Sequence, residues 1–481
     1  MSLLTTVVGY TTSSTSQILA IFKPSTATNA RIAYQDSSGV ARAVDVALIP
    51  AAPYALAKFS LKELALPSVK YAVADWTQNA PEPAAMLASP AARFFRLVKQ
   101  GPLKIALVSC NDIDNHTFAK EHRADMWRRL LQLVEGKQVD LILHAGDQIY
   151  ADSPPVGWLE SEKHVGAYRR HYVSTWSHPD VAAVLSTCPS LMMWDDHEIY
   201  DGWGSNDNDD TAKALERYRA AEQAYREFQD PQNPPDRLAG GLGWIAKYGD
   251  LAIVAVDARS RRSWASGSVA GKEQLDDLEL KLGELSQLGL KHLYLVLGTP
   301  VVNVPLIAAE KVVQLAVPSG LDDIRDGWTA SKNRAECERM LRSLMTFAAH
   351  SPTTQVTLLA GDIHLGTLAQ ITTQLPFGRN QAKPRLFQVT ASGIGRPTPR
   401  GVEGLAIALI TSGGTQQLFK DTSGSLLPIH GSTHRFCIPA RNFAVLDPTN
   451  GKGDWHPSNQ LSVEFQTELT GPSRVIRQVL D

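Results

Sequence analysis

Three short clusters of acidic residues and histidines have the residue types and spacing of a metal site. They are Gly-Asp-Gln-Ile-Tyr at 146–150, Trp-Asp-Asp-His-Glu at 194–198 and Gly-Asp-Ile-His at 361–364. Each cluster directly follows an apolar run that is typical of a buried strand, at 140–144, 191–193 and 355–360. Carboxylates and imidazoles at such positions need partners, because burial removes them from water. Ligands gather at the carboxyl ends of the strands of an open α/β sheet, so we predict one shared site.

A fourth predicted strand, at 104–109, ends next to Cys110. A thiolate is a soft anionic ligand suited to iron or zinc, whereas carboxylates and imidazoles suit a wider range of cations. The side chains that neighbouring parallel strands would bring to one cleft are Cys110, Asp147, Asp196, Asp362 and His364. Singly, each has an ordinary structural explanation, such as a small buried cysteine or an aspartate that caps a helix. The agreement of four strand ends favours the metal site.

The composition is that of an ordinary globular protein and narrows the classes of function. Of the 481 residues, 43% are hydrophobic and 20% are charged, with a formal net charge of −2. This charge gives no nucleic-acid-binding signature, and no apolar stretch is long enough for a membrane span. The first residues show no export signal, and the four scattered cysteines are too few for a disulfide scaffold. We therefore expect a cytoplasmic location, or a periplasmic one if a leader has been removed.

The sequence pattern changes near residue 100. Short apolar runs between turn residues, at 17–22, 30–34, 43–48, 69–73 and 94–98, predict an antiparallel β-sandwich over residues 1–100. Strand and helix patterns then alternate, which predicts a βαβ start and an α/β domain over residues 101–411. Helices are predicted at 121–133, 160–175, 211–228, 271–286 and 334–349, and further strands at 251–256 and 291–297. Periodicity weakens beyond residue 412, and we expect an extension over 412–481, with strands at 443–446 and 461–467, to complete the α/β domain.

In this order, the clusters resemble those of the calcineurin-like metallophosphoesterases, and more closely those of their PhoD-type alkaline phosphatase/phosphodiesterase branch. That branch has a cysteine after the first strand and then Gly-Asp-x-x-Tyr, Trp-Asp-Asp-His-Glu and Gly-Asp-x-His clusters, as this chain has. The resemblance implies an α/β sandwich as the metallophosphoesterase catalytic domain, preceded by an immunoglobulin-like or fibronectin III-like β-sandwich. The chain departs from the wider superfamily, because Ser-Cys-Asn stands where Asp-x-His is usual and Gly-Asp-x-His where Gly-His-x-His is usual. Both departures favour the cysteine-containing branch.

The resemblance also implies a set of metal ligands. They are Cys110, Asp147, Tyr150, Asp196, Asp362 and His364. Asp147 would bridge two cations, and Cys110 with Tyr150 would complete the shell of a ferric ion (Fe³⁺). Calcium is the second cation that the branch implies, and zinc or manganese is the alternative to both. The other explanation for Tyr150 is a buried phenol that is bonded to the backbone.

Three further residues have predicted roles, two of them with alternatives. His197 would not be a ligand but would stand near the leaving-group oxygen, as a proton donor or a stabiliser of charge on phosphorus. Asp195 is either a ligand or a partner that orients a ligand or His197. Arg259 is a candidate phosphate-binding residue, and the alternative is a structural ion pair with Asp257 or a neighbour.

The implied function is a metal-dependent phosphoric ester hydrolase, a PhoD-like phosphatase or phosphodiesterase. It would act on a small-molecule phosphate ester by in-line attack of a metal-bound hydroxide on phosphorus. Two alternatives stay open at this point. One is a non-catalytic binding protein with a structural metal centre, and the other is a hydrolase of another ester or an anhydride.

Overall fold

The computed structural model describes residues 2–65, 67–151, 165–303, 325–377, 382–398, 414–432 and 434–481, without the side chains of residues 472 and 473. The first part of the helix predicted at 160–175 lies outside the described residues. The remainder of that prediction corresponds to a helix at Val165–Trp176.

The first hundred residues form a sandwich of two four-stranded antiparallel sheets. The strands are β1 (Leu3–Thr11), β2 (Ser16–Phe22), β3 (Asn29–Gln35), β4 (Ala41–Ala47), β5 (Ile49–Ala51), β6 (Tyr54–Leu61), β7 (Ser68–Trp76) and β8 (Arg93–Arg96). Their orders are β1-β2-β6-β5 and β4-β3-β7-β8. Alternation along the strands turns Ile18 and Phe59 of one sheet towards Ile32 and Val73 of the other, in one apolar cluster. The predicted β-sandwich is therefore confirmed.

Two larger sheets follow. Their strands are β9 (Ile105–Val108), β10 (Leu141–Ala145), β11 (Ser190–Met193), β12 (Trp244–Tyr248), β13 (Leu251–Ala255), β14 (His292–Val296), β15 (Gln355–Ala360), β16 (Gly366–Thr373), β17 (Arg385–Thr390), β18 (Thr415–Phe419), β19 (Thr422–Leu426), β20 (Cys437–Ile438), β21 (Asn442–Asp447), β22 (Leu461–Thr467) and β23 (Val475–Leu480). The first sheet has the order β11-β10-β9-β21-β22-β23. The second has the order β12-β13-β14-β15-β17-β16-β19-β18, and β20 pairs with β16.

Helices complete the α/β sandwich. They are α1 (Pro83–Ala88), α2 (Asp125–Glu135), α3 (Val165–Trp176), α4 (Pro179–Leu185), α5 (Ala212–Phe228), α6 (Lys272–Leu285) and α7 (Arg334–His350). Alternate residues of the second sheet belong to different apolar clusters: Ile253 and Tyr294 pack with the first sheet, whereas Val254 and Leu295 pack with α6 and α7. Burial of both faces explains why these strands are continuous apolar runs in the sequence.

The C-terminal segment contributes strands to both sheets. β18 and β19 extend the second sheet, and β21 pairs antiparallel with β9 in the centre of the first. Within the described ranges, no helix has both the length and the apolar character needed to cross a bilayer.

The predicted site residues come from both sheets of the α/β sandwich, so the expectation that they all follow neighbouring parallel strands was wrong. β9, β10 and β11 are parallel neighbours in the first sheet, whereas β15 belongs to the second. The carboxyl ends of both sheets meet, because a Cβ at Gly361 would lie 2.8 Å from the Ala145 carbonyl oxygen. Sequence periodicity places each cluster at a strand end, but it does not show which strands share a sheet.

Candidate metal centre

The strand ends turn sharply into the site. Four predicted site residues have positive φ, at 57° for Cys110, 57° for Asp147, 66° for Asp362 and 54° for His364. In the described ranges only three other non-glycine residues have this left-handed conformation. Such strain costs about 1–3 kcal/mol per residue and is common where side chains must be aimed at a ligand. The backbone therefore directs these four side chains towards one another.

Gly146 allows two of these turns to pack directly together. It has φ of 91°, and a Cβ at this position would lie 2.5 Å from the Cβ of Asp195. Glycine meets both requirements, because it adopts positive φ without strain and leaves space for the neighbouring loop. The loop after β10 can thus carry Asp147 to within reach of the loop after β11.

Glu198 ties the same two loops together. Its Oε2 accepts hydrogen bonds from the backbone N–H groups of Asp147 (3.0 Å) and Asp195 (2.8 Å). Its Oε1 accepts from the backbone of Gln148 and from Nε2 of Gln229, the latter at 2.8 Å. Burial raises the pKa of Glu198 to about 7, and the four hydrogen bonds oppose this by favouring the carboxylate. Its side chain faces away from the ligand set and positions it.

One half of the centre is formed by Cys110, Asp147 and Tyr150, and we call it the cysteine half. Asp147 Oδ2 lies 3.2 Å from the Cys110 Sγ and 3.4 Å from the Tyr150 hydroxyl oxygen. All three residues are buried. Burial raises the pKa of the thiol, the phenol and the carboxyl group. A cation would reverse this effect, because it favours the ionised form of each donor.

The other half is formed by Asp195, Asp196 and Asp362, and we call it the carboxylate half. One carboxylate oxygen from each lies within 4.8 Å of the other two. A second group with the same limit of 4.8 Å joins Asp147, Asp196 and His197, so the two halves are contiguous. Burial raises the pKa of Asp195 to about 6 and raises that of Asp362.

Three buried donor atoms of the centre fit the metal ions that the family implies. Asp147 Oδ1, Asp195 Oδ2 and His364 Nδ1 have no hydrogen-bond partner in the part of the chain that the structure describes. Unsatisfied buried polar atoms of this kind are costly unless a ligand pairs with them. Hard cations take carboxylate oxygens, and imidazole and thiolate suit iron or zinc. The donor set therefore suits bound cations, and metal ligation by these residues stays a prediction.

His197 stands beside the cysteine half. Its ring is stacked on that of Tyr150, with centroids 4.0 Å apart and an interplanar angle of 29°. Its Nε2 lies 3.9 Å from Asp201 Oδ1. The side chain is largely buried, with 10% of its surface exposed.

Arg259 is wholly buried and paired with carboxylates. Its Nε donates to Asp195 Oδ1, Nη2 lies 3.3 Å from Asp196 Oδ1, and Nη1 lies 2.5 Å from Asp326 Oδ1. Its exposed side-chain fraction is 0%. This geometry favours the ion-pair alternative, although the partners do not include Asp257, whose Oδ1 accepts from the backbone N–H of Arg259 and not from its guanidinium. The phosphate-binding role of Arg259 is untested.

Sequence reasoning missed three residues that border the centre. Glu198 ends the second cluster at capping-box spacing from Asp195, which is a local signal for its role. Ser392 lies 3.0 Å from the Cys110 Sγ and accepts from the backbone of His364 at 2.9 Å. Arg396 lies over the ring of Tyr150, at 5.1 Å from its centroid. Ser392 and Arg396 are 282 and 286 positions from Cys110, and no local pattern marks them.

The chain matches known proteins at the level of family and fold. A model of the PhoD-like phosphatase family matches residues 105–403, which is more than half of the chain. The solved structure of PhoD has a TM-score of 0.62 at 13% identity, and the match covers 99% of this chain and 88% of that chain. At this identity the structural likeness concerns the fold alone.

A curated relative matches a smaller part of this chain. An uncharacterized protein of Saccharomyces cerevisiae is 21% identical, and the match covers 54% of this chain and 50% of the yeast protein. The chain thus spans about half the length of the curated relative that it matches. The family match includes all four strand ends of the centre and confirms the predicted resemblance: the chain belongs to the PhoD-like phosphatase family.

Proposed function

We propose that this protein is a metal-dependent phosphomonoesterase or phosphodiesterase whose centre is built around Asp147. One observation carries the proposal. A single carboxylate oxygen of Asp147 contacts both the Cys110 thiol and the Tyr150 phenol, while its other oxygen has no partner among the described residues. A bridging carboxylate between an anionic shell and a neighbouring group of carboxylates would have this geometry.

The donor types support two different cations. Thiolate, phenolate and carboxylate are three anionic donors, and we propose that the cysteine half binds Fe³⁺. The carboxylate half offers only oxygens, which suit a hard cation such as Ca²⁺. When bound, such cations would neutralise the charge of a phosphate ester and acidify water. Zinc or manganese is the alternative.

His197 is proposed to donate a proton to the departing oxygen of the ester. The ring contact with Tyr150 and the nearby Asp201 carboxylate would hold the imidazole in one orientation. The His197 imidazole lies within 4.8 Å of carboxylate oxygens of Asp147 and Asp196, so it would be next to an ester bound at the centre. A positioned acid contributes about 10²–10⁴-fold to the rate of such a step.

The first experiment tests for hydrolysis and for metal. Protein purified with iron and calcium supplied is assayed on aryl phosphate mono- and diesters from neutral to alkaline pH, and its metals are measured by elemental analysis. Turnover with bound metal is expected. A protein that holds metal but hydrolyses no ester would be a binding protein, and activity on another ester or anhydride alone would assign it to that class.

A second experiment tests the proton-donor role of His197. Replacement of His197 by Gln should reduce the hydrolysis of an alkyl phosphate far more than that of an aryl phosphate, whose leaving group needs less protonation. Metal content should stay unchanged. His350→Gln, on the exposed end of α7, is the control. Equal losses on both esters, or loss of metal from the His197 variant, would contradict the assignment.

A further inference from the structure

Arg396 is fixed beside the cysteine half by its own backbone. The N–H groups of Gly395 and Arg396 both donate to the Cys110 carbonyl oxygen at 3.1 Å, and Ile394 N–H donates to that of Ser109 at 3.1 Å. A Cβ at Gly395 would lie 2.8 Å from the Asp112 nitrogen, so the two segments are in close contact. The start of the Arg396 side chain therefore has a defined place next to the predicted ligand Cys110.

The guanidinium of Arg396 lies at the edge of the site. Its Nη1 is 2.7 Å from Asp112 Oδ2, and its Cζ is 5.1 Å from the Tyr150 ring centroid. The same ring is stacked on His197, the proposed proton donor. Arg396 thus lies beside a predicted metal ligand, Tyr150, whose ring also carries the proposed proton donor.

Arg396 and Arg259 differ in the exposure of their side chains to solvent. The Arg259 side chain is 0% exposed and lies among three carboxylates, whereas the Arg396 side chain is 32% exposed. A guanidinium has five N–H donors in a fork that matches the oxygens of a phosphate group. Asp112 Oδ2 lies 2.7 Å from Arg396 Nη1, so a substrate oxygen would share the guanidinium with that carboxylate.

We infer that Arg396 binds a non-bridging oxygen of the substrate phosphate group, which assigns to it the phosphate contact considered above for Arg259. The inference rests on the proposed function. Its chemical basis is the positively charged guanidinium group, which lies at the edge of the centre and is partly accessible to solvent. The substrate class that it implies is any ester with an anionic phosphate group.

The test compares Arg396→Gln with a matched control in the metal-loaded protein. Arg342 is the match, since it pairs with Glu338 at 2.6 Å, lies 5.1 Å from the Phe419 ring centroid and is 39% exposed on α7. The measurements are KM for an aryl phosphate and the dissociation constant of inorganic phosphate by calorimetry. Arg396→Gln should raise both by about ten- to hundredfold, as expected for the loss of a charge-assisted hydrogen bond. Arg342→Gln should change neither.

The outcomes separate the inference from the proposed function. If wild-type protein hydrolyses the ester and Arg396→Gln retains its KM and phosphate affinity, the inference alone is overturned. If wild-type protein hydrolyses no phosphate ester, the proposed function fails. Should Arg396→Gln not fold, Arg396→Lys decides, because it keeps the charge and loses the fork. Weakened phosphate binding in the lysine variant supports the inference, and unchanged binding overturns it.

Discussion

The two halves of the metal centre handle negative charge differently. In the cysteine half, the carboxylate of Asp147 lies against a thiol and a phenol, and its neighbours there are acids rather than bases. In the carboxylate half, Arg259 lies against Asp195 and Asp196 and supplies a permanent positive charge. The carboxylate half therefore has a buried protein cation in direct contact with its carboxylates, whereas the cysteine half has only Arg396 over the Tyr150 ring and depends more on a bound cation.

This difference indicates what holds each half together without metal. Burial raises the pKa of Asp147, His197 opposes this, and the carboxylates of Asp195 and Asp196 add to it, so burial favours the neutral acid when no cation is bound. The ion pairs of Arg259 keep the carboxylate half charged and ordered. We expect the carboxylate half to be preformed and the cysteine half to depend on its metal.

Asp147→Asn should have the largest effect, because Asp147 belongs to the cysteine half and also lies close to Asp196 of the carboxylate half. The change removes the one carboxylate that contacts Cys110 and Tyr150 and that also lies in the group with Asp196. We expect loss of bound metal and a roughly thousandfold or greater fall in kcat/KM. Elemental analysis and an aryl phosphate assay measure both. Asp45→Asn, in an ion pair of the β-sandwich, is the control.

Glu198→Gln should come next, because Glu198 holds the loops of both halves. The N–H groups that now donate to the two carboxylate oxygens of Glu198 would meet one amide oxygen and one NH₂ group, which is itself a donor. We expect weaker binding of both metals and a fall in activity of about hundredfold, as for other residues that orient ligands. Metal titration followed by activity measures this. Unchanged affinity for both metals would show that the loops hold their positions without Glu198.

Much of the site could be predicted from sequence, because strand ends are local features. An apolar run followed by Gly-Asp identifies a ligand position without knowledge of the rest of the fold, as at Asp147 and Asp362. Ser392 and Arg396 could not be predicted, since their roles come from contacts across nearly 300 positions. The buried pairing of Arg259 with Asp326 is equally non-local.

The type of many helices and strands could be predicted from sequence, whereas the pairing of distant strands could not. Strand and helix types follow from periodicity, and helices such as α5 and α7 lie within a residue or two of the predicted bounds. The strand β6 was missed, because Tyr54–Leu61 alternates small and charged residues with apolar ones and follows a turn. The order of the strands was not predicted, since pairing of β21 with β9 joins residues that are more than 300 positions apart.

Arg259→Gln should affect one half more than the other. It removes the internal cation from Asp195 and Asp196 and leaves Asp326 with Arg262, at 3.2 Å. We expect the free energy of unfolding to fall by about 3 kcal/mol, the typical cost of an uncompensated buried charge. Activity should fall about tenfold, with weaker binding of the second cation. The visible spectrum, which reports on iron in the cysteine half, should change much less than the calcium affinity. Equally large changes in both would show that the two halves do not bind their metals independently.

The pH dependence of stability should become weaker on metal binding. Burial raises the pKa of Asp195 to about 6 and that of Glu198 to about 7, from usual values near 4. A raised pKa stabilises the folded state below the usual value, and this contribution is lost as pH rises through the raised one. Metal-free protein should therefore lose stability between about pH 4 and pH 7. Thermal unfolding with and without metal tests this, since bound cations favour the ionised groups and should oppose the loss.

Cys110→Ser should have the smallest effect and the most specific one. A hydroxyl replaces the buried thiol beside Asp147, so one anionic donor becomes a weaker neutral one while the carboxylate half keeps all its residues. If iron binds at the cysteine half, the visible charge-transfer band should shift or disappear, and activity should fall about tenfold. Calcium affinity should stay unchanged. Cys188→Ser, at another buried cysteine, is the control. Equal visible spectra for the two variants would show that the Cys110 thiolate is not a ligand of the iron.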